Sequence, residues 1–307
     1  MNEKVKHIVS KDGFHWLVYY ILLATKTAQF VPDKWYVKLE YRCLLGKRLD
    51  LKRPKTFNEK LQWLKIYNRK PEYTTMVDKY AVKQYVADRI GEQYVIPTLG
   101  VWDRPELIEW DSLPDKFVLK CTHNSGGLVI CKDKKKLDKD AAIKKLSDAL
   151  ERDYYLASRE WPYKNVPRRI IAEQLLEATL GVNDLPDYKW YCFNGEPKFC
   201  QVIQDRSTKE TIDFFDTEWN HQEFVGLNRM AYFASTTPSR PSTLETQIKI
   251  ACELSKGIPF SRIDLYEVNE RTWFGEITLF PAGCVGEFRP EEYNTILGGY
   301  IQLPTKK

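Results

Sequence analysis

"FVLKCTHNSGG" (residues 117–127) decides how this chain is read, because an apolar run of β character ends there in a lysine, a histidine and paired glycines. The first five residues read as a buried strand. Ser125, Gly126 and Gly127 read as a tight turn in which backbone comes close to a partner. "LVIC" (128–131) then resumes the apolar pattern, which makes the segment a hairpin with a glycine tip. Lys120 sits inside the first strand. Taken alone, it reads more readily as an edge residue carrying its amine out to solvent. Its neighbours favour another role: backbone N–H groups at a glycine tip converge on an anion beside a fixed cation, an arrangement that suits a polyphosphate. The order differs from the P-loop, in which the lysine follows the glycines and precedes Ser or Thr.

The rest of the composition bounds the answer. With 307 residues, 43% hydrophobic and 13% aromatic, the chain has ample material for a core and for more than one lobe. A balance of 47 basic to 42 acidic residues leaves +5, dispersed along the chain, which argues against a dedicated nucleic-acid binder. The seven cysteines are odd in number, lie mostly in apolar runs and include no C-x-x-C, as expected of a reduced, cytoplasmic protein. The most apolar segment is "FHWLVYYILLATKTAQF" (14–30), too short to cross a bilayer comfortably. It reads either as a helix packed on the core or as a peripheral helix at a membrane surface, since Lys4, Lys6, Lys11, Lys26 and Lys34 around it suit anionic headgroups.

Helix and strand signals follow in order. Thr56 with Glu59 three residues on is a capping box, and Phe57, Leu61 and Leu64 share one face of the helix it starts. Val82, Val86 and Ile90 share a face of a second helix that stops at Gly91 and leads into a short strand ending at Pro97. A helix is expected at about 138–150, a buried strand at 170–172, and two β runs joined by the hairpin signal Asn194-Gly195. A further helix at about 243–255 precedes a last hairpin, "SRIDLYEVNERTWFGEITLF" (261–280). The fold class expected is α+β.

That last hairpin carries the second half of the chemistry. Asp264 and Glu276 are each ordinary acids in isolation, and an acid in a strand usually faces solvent. Lying on opposite arms of one hairpin around Asn269-Glu270-Arg271, they come side by side, and facing carboxylates repel unless a cation lies between them. Mg²⁺ held by one or two carboxylates and by phosphate oxygens satisfies that demand. Arg262 leaves the same strand face as Asp264 and can donate to a phosphate in transfer. His123 reads either as a phosphate donor or general base or as a turn-stabilising residue. Lys189 reads as a surface strand residue or as a contact to phosphate or an acidic substrate. Arg289, in "EFRPEEY", is a candidate for a substrate carboxylate.

Lys120 with its glycine turn, then "AEQLLE" (172–177), "RIDLY" and "EITLFPAG", resembles the ATP-grasp superfamily in kind and order. Together with "TFNEKLQWLK", "DKY", "DKFVLKC" and "DYKWYCFNG", the pattern is similar to the bacterial branch associated with teichuronopeptide and capsular polysaccharide biosynthesis, whose members are often labelled glycosyltransferases. The resemblance runs from about residue 54 to the C-terminus. It implies two α+β lobes that sandwich ATP, behind an N-terminal helical extension at 1–53. The other divisions are an N-terminal α/β region at 54–110, the small lobe at 111–177, and the large lobe with metal and substrate sites at 178–307.

The same resemblance implies roles for individual residues. Lys120 would contact the α and β phosphates under the loop of Ser125, Gly126 and Gly127, and Lys79 would sit near the nucleotide, with Lys83 competing for that place. Glu173, Leu175 and Leu176 would form the hinge whose backbone reads adenine, and Glu177 would accept from the ribose. Asp264 and Glu276 would hold Mg²⁺, and Arg262 would steady the γ-phosphate. Thr278 stands where the family's usual asparagine would offer a stronger oxygen. The activity expected is an ATP-dependent carboxylate–amine ligase joining a uronic acid of a cell-surface glycan, lipid-linked, nucleotide-linked or in the finished polymer, to an amino acid through an acyl phosphate. The alternatives are a glycosyltransferase using a nucleotide sugar, which leaves the lysine-and-glycine hairpin without a role, and a non-catalytic nucleotide-binding partner.

Overall fold

The computed structural model describes residues 13–25, 27–177, 185–205, 208–227 and 232–305. Lys4, Lys6, Lys11 and Lys26 lie outside them. Two antiparallel sheets with separate cores organise the chain.

The smaller sheet contains β1 (Thr98–Trp102), β2 (Phe117–Cys121), β3 (Leu128–Cys131) and β4 (Ile170–Gln174), in the order β1-β4-β2-β3. The helix Lys139–Glu151 covers it. Asp138 caps that helix by accepting from Ala141 N at 2.9 Å, and its Ala142, Leu146 and Ala149 are buried among Leu119, Cys121, Val129 and Cys131. β1 thus joins the small lobe, so the sheet begins well before residue 111. The short strand expected to end at Pro97 is a 3-10 turn, Glu92–Tyr94. Gly91 turns the chain at φ 101°, and β1 starts only after Pro97, which has no N–H to give a ladder.

The larger sheet contains β5 (Asp187–Phe193), β6 (Glu196–Gln204), β7 (Thr211–Phe215), β8 (His221–Gln222), β10 (Phe260–Val268) and β11 (Arg271–Thr278), in the order β11-β10-β5-β6-β7-β8. β9 (Val225–Gly226) pairs instead with β12 (Phe288–Arg289). Asn194 and Gly195, both at positive φ, make the expected β5–β6 turn, and Asn269 and Glu270 do the same between β10 and β11. The capping box at Thr56 is present, with Glu59 Oε2 accepting from Thr56 N at 3.0 Å. The helices Asp33–Leu45, Phe57–Tyr67, Ala81–Ile90 and Leu244–Ser255 share one apolar core with this sheet. Residues 54–110 therefore form no unit of their own: their helices belong to the large core and their strand to the small sheet.

The first helix among the described residues, α1 (Gly13–Ala24), packs Tyr19 and Leu22 on the large core and leaves Leu17, Tyr20, Ile21 and Leu23 each more than 40% exposed. Among the described residues, no helix is long and apolar enough to cross a membrane.

Candidate active site

On the small-lobe side, β2 and β4 run antiparallel with Lys120 opposite Ile171 and Val118 opposite Glu173. Lys120 Nζ lies 2.5 Å from Glu173 Oε2, and Lys83 Nζ lies 2.6 Å from Glu173 Oε1. Burial opposes ionisation of Glu173, but Lys120 and Lys83 outweigh it and hold the carboxyl below its usual range. Lys79 secures the neighbouring turn: its N–H donates to Thr122 O at 3.2 Å and its ammonium to Asn124 O. Gly126 adopts φ +103°, and a Cβ on Gly127 would lie 2.8 Å from Ala149 Cβ and 2.9 Å from Cys121 Sγ. The first glycine is needed for conformation and the second for close packing.

On the large-sheet side, β10 pairs Asp264 with Glu276 across one edge and with Lys189 across the other. A bulge at Gly275, where an added Cβ would lie 3.0 Å from Asp264 O, keeps Glu276 in this register. Arg262 binds Asp264 through two bonds, Nε to Oδ1 at 2.6 Å and Nη2 to Oδ2 at 2.7 Å. Arg262 Nη2 also reaches Glu276 Oε1 at 3.3 Å and Thr278 Oγ1 at 3.0 Å, while Lys189 closes on Asp264 Oδ2. The cation that bridges the facing carboxylates is thus the Arg262 guanidinium, and Lys189 adds an ammonium on the other side of Asp264. Burial opposes ionisation of Glu276, but Lys189, Lys79 and Arg262 outweigh it and bring its carboxyl down to about 2.

Between these walls lies a cavity of about 470 Å³, lined by Lys79 and Ser125 from the small-lobe side and by Arg262, Glu276 and Thr278 from the large sheet. It continues to Glu40, Tyr154, Ser158, Glu160 and Tyr163, and to Ala282 and Gly283 in the segment after β11. A fixed cation, an open loop tip and an ionised carboxylate facing one space are the parts that position phosphate oxygens.

Several expected residues fall elsewhere. Asp264 is 2% exposed and both its oxygens are taken by Arg262 and Lys189, so it organises the site from beneath. Lys189 is buried against it and does not meet the cavity. Glu276, with a side chain 43% exposed, is the carboxylate that fits Mg²⁺, which needs only one or two carboxylates beside phosphate oxygens. Among the described residues, no cluster of three or more His, Cys, Asp or Glu would hold a metal on protein ligands alone. Thr278 spends its oxygen on Arg262 and its hydroxyl proton on Glu276 Oε1, at 3.3 Å.

His123 is buried with Nε2 3.2 Å from Arg152 O at the end of the small-lobe helix, which is the turn-stabilising reading and not the catalytic one. Glu173 lies near the end of its strand with its side chain clamped between Lys83 and Lys120, so any part it takes in the hinge falls to its backbone. Leu175 and Leu176 follow β4 outside any strand, and Glu177 pairs with Lys116 at 2.6 Å on the surface. Arg289 is exposed on β12 and is not part of the cavity lining. The far wall, with Glu40, Tyr154, Glu160 and Tyr163, is absent from the sequence-based set. Its only local signal is the aromatic-rich "REWPYKN" (159–165), which has no motif spacing.

Solved structures provide distant likenesses. The D-alanine–D-alanine ligase of Bacillus anthracis complexed with ATP matches 67% of this chain and 54% of its own at 15% identity and TM-score 0.38. That of Helicobacter pylori matches 80% and 69% at 13% and 0.42. The ATP-grasp ligase PsnB with its minimal precursor matches 72% and 56% at 12% and 0.39. The chain spans little more than half the length of the Bacillus anthracis and PsnB structures. No curated protein matches the sequence. The model of the family described as TupA-like ATPgrasp matches residues 59–302, a span holding both walls of the cavity, and this protein belongs to that family, with its α+β ATP-grasp fold.

Proposed function

We propose that the protein is an ATP-dependent carboxylate–amine ligase that forms an amide through an acyl phosphate. The observation that carries this reading is the meeting, across one cavity, of Lys79 and Ser125 with Arg262, Glu276 and Thr278. The first pair belongs to the glycine hairpin and its anchor, the second group to a strand pair whose charges are fixed in advance. Bound Mg²⁺·ATP supplies the phosphoryl group and the charge that neutralises it in transfer, with Glu276 the residue that would hold the metal. The chain's own part is positioning. Asp264 and Lys189 pin Arg262, Arg262 presents an N–H edge shared with Glu276, and Ser125 faces the same cavity from the glycine loop, so little reorganisation remains when charge moves. None of these groups is poised as a covalent nucleophile, which suits direct phosphoryl transfer to a substrate carboxylate.

In its finer form the proposal takes the carboxylate to be a uronic acid of a bacterial surface glycan and the amine an amino acid, with the enzyme acting in the cytoplasm. The competing glycosyltransferase reading gains little from the site. The chain's Asp-x-Asp, Asp138 and Asp140, opens the small-lobe helix, where Asp138 is its cap, and does not line the cavity.

The test is to incubate the protein with Mg²⁺, ATP, glucuronate oligosaccharides and single amino acids. ADP and phosphate are expected only when acid and amine are both present, and hydroxylamine should trap a hydroxamate. Consumption of a nucleotide sugar with no use of ATP would replace the ligase with a glycosyltransferase.

A further inference from the structure

The far end of the cavity has more carboxylate than the cations around it can neutralise. Glu40 and Glu160 are 3% and 4% exposed, and both line the cavity. The buried ammonium of Lys65 serves them together, but it is held in place by Ser158 O at 2.7 Å and Gly283 O at 3.0 Å. Arg159, the other nearby cation, stacks 4.3 Å over Tyr36 and turns its guanidinium to Ala28 O and Asp33. Glu160 Oε1 accepts from Ser158 Oγ at 2.9 Å, and Glu40 Oε1 from Tyr19 OH at 3.3 Å. Glu40 Oε2 is buried without a hydrogen-bond partner. A buried carboxylate oxygen left unpaired is costly, and folded proteins keep such a group where a ligand completes it.

We infer that the part of the cavity walled by Glu160 and Glu40 receives the amine substrate as its ammonium ion, and that Glu160 takes the proton that frees its lone pair. The inference rests on the ligase reading and assigns the second substrate's place within it. Burial raises the carboxyls of both Glu40 and Glu160, so one added ammonium beside Lys65 supplies the charge that lets both ionise, and Tyr154 and Tyr163 lie in edge contact at 4.7 Å beside them. Glu276 lines the same cavity, so an acyl phosphate formed there and an amine held here are neighbours.

The step balances. Glu160 carboxylate accepts one proton from R–NH₃⁺, and the amine nitrogen attacks the acyl carbon. A C–N bond forms, and the C–O bond to phosphate breaks with its electron pair leaving on phosphate, which takes the second N–H proton. The charged and titratable groups facing Glu160 are Lys65, Glu40, Glu276, Tyr154, Tyr163 and Cys284. Burial pushes the Glu160 carboxyl up to about 7, which suits a base that works near neutral pH.

The experiment compares two nucleophiles on the full-length protein with Mg²⁺, ATP and a glucuronate oligosaccharide. Hydroxylamine, neutral at pH 7, needs neither an ammonium site nor a base, whereas amino acids need both. In Glu160→Gln, amide formation with amino acids should fall by roughly 10²- to 10⁴-fold while hydroxamate formation is retained. Equal losses with both nucleophiles, or retained amide formation, overturn the inference. If wild type forms no hydroxamate, the ligase reading itself fails and the inference with it. Should the variant not fold, the wild-type pH profile decides. A limb near pH 7 for amino acids, absent for hydroxylamine, supports Glu160, and parallel profiles overturn it.

Discussion

Lys120 and Glu173 stand on adjacent strands with Nζ and Oε2 2.5 Å apart, and Lys83 occupies the other oxygen of the same carboxylate. One buried anion thus fixes two lysines, and the trio keeps a net positive charge behind Lys79, the lysine that itself lines the cavity. Lys120 is held by protein before any phosphate arrives, so a contact it makes to nucleotide costs little side-chain entropy. Lys120→Ala is expected to weaken ATP binding by about 1.5 to 3 kcal/mol, the loss of one charge-assisted contact, or about ten- to a hundredfold in Kd. Calorimetry that finds unchanged affinity would remove Lys120 from the nucleotide site.

Asp264 poses a different question, because it serves as counter-ion to Arg262 and Lys189 deep in the large sheet. Replacing it with Asn keeps the shape and removes the charge, leaving two cations on one side of a buried triad. Breaking such a group costs about 3 to 5 kcal/mol. Asp264→Asn should therefore lower the urea midpoint as well as abolish turnover, whereas Glu276→Gln, at the cavity surface, should abolish turnover with a far smaller loss of stability. Equal midpoints for wild type and Asp264→Asn would show that the triad contributes no net stability.

These two residues also show what could be read from sequence. Alternation places Arg262 and Asp264 on one face of a strand, and the hairpin around Asn269 brings Glu276 opposite, so the constellation and the ATP-grasp order were legible. Which oxygen faces solvent was not. Register across β5 places Lys189 beside Asp264, and no local pattern in "DYKWYCF" encodes that long-range pairing. Glu173 shows the same limit: its place in a buried strand was evident, but its two lysine partners come from a helix 90 positions earlier in the chain and from the strand beside it. The wall of Glu40 and Glu160 was hidden because its parts lie 120 positions apart and the residue that links them, Lys65, sits in the core of a helix whose sequence reads as an ordinary amphipathic pattern.

Glu160 gives a pH signature independent of activity. Its carboxyl is raised from the ordinary 4.5 to about 7, so the folded protein binds more protons at this position than the unfolded chain between those values. Its contribution to stability is fully present below pH 4.5 and is lost as pH rises through 7, up to about 3 kcal/mol across that window. Glu160→Gln cannot titrate there. The difference in unfolding free energy, wild type minus variant, should fall between pH 5 and pH 8, as read from urea midpoints at each pH. A difference that stays flat would mean that Glu160 titrates at its ordinary value.

The first helix presents Leu17, Tyr20, Ile21 and Leu23 outward while Tyr19 and Leu22 hold it to the large core. The core-packing reading is realised on one side of this helix, and the other side offers apolar side chains that water does not favour. With Lys34 close behind in sequence, this face suits the boundary of an anionic membrane, where apolar burial and headgroup attraction act together. A ligase acting on lipid-linked glycan would gain from that placement. The protein is expected to float with phosphatidylglycerol-containing liposomes at low salt and to be released as ionic strength rises, because the electrostatic part is screened within about 10 Å at 0.1 M. Ile21→Glu sets a charge in the middle of the exposed face without touching the packed side, so it should abolish flotation and leave ATP binding unchanged. If wild type and Ile21→Glu float equally, or neither floats, the exposed face has no membrane role and α1 is a core-packing helix alone.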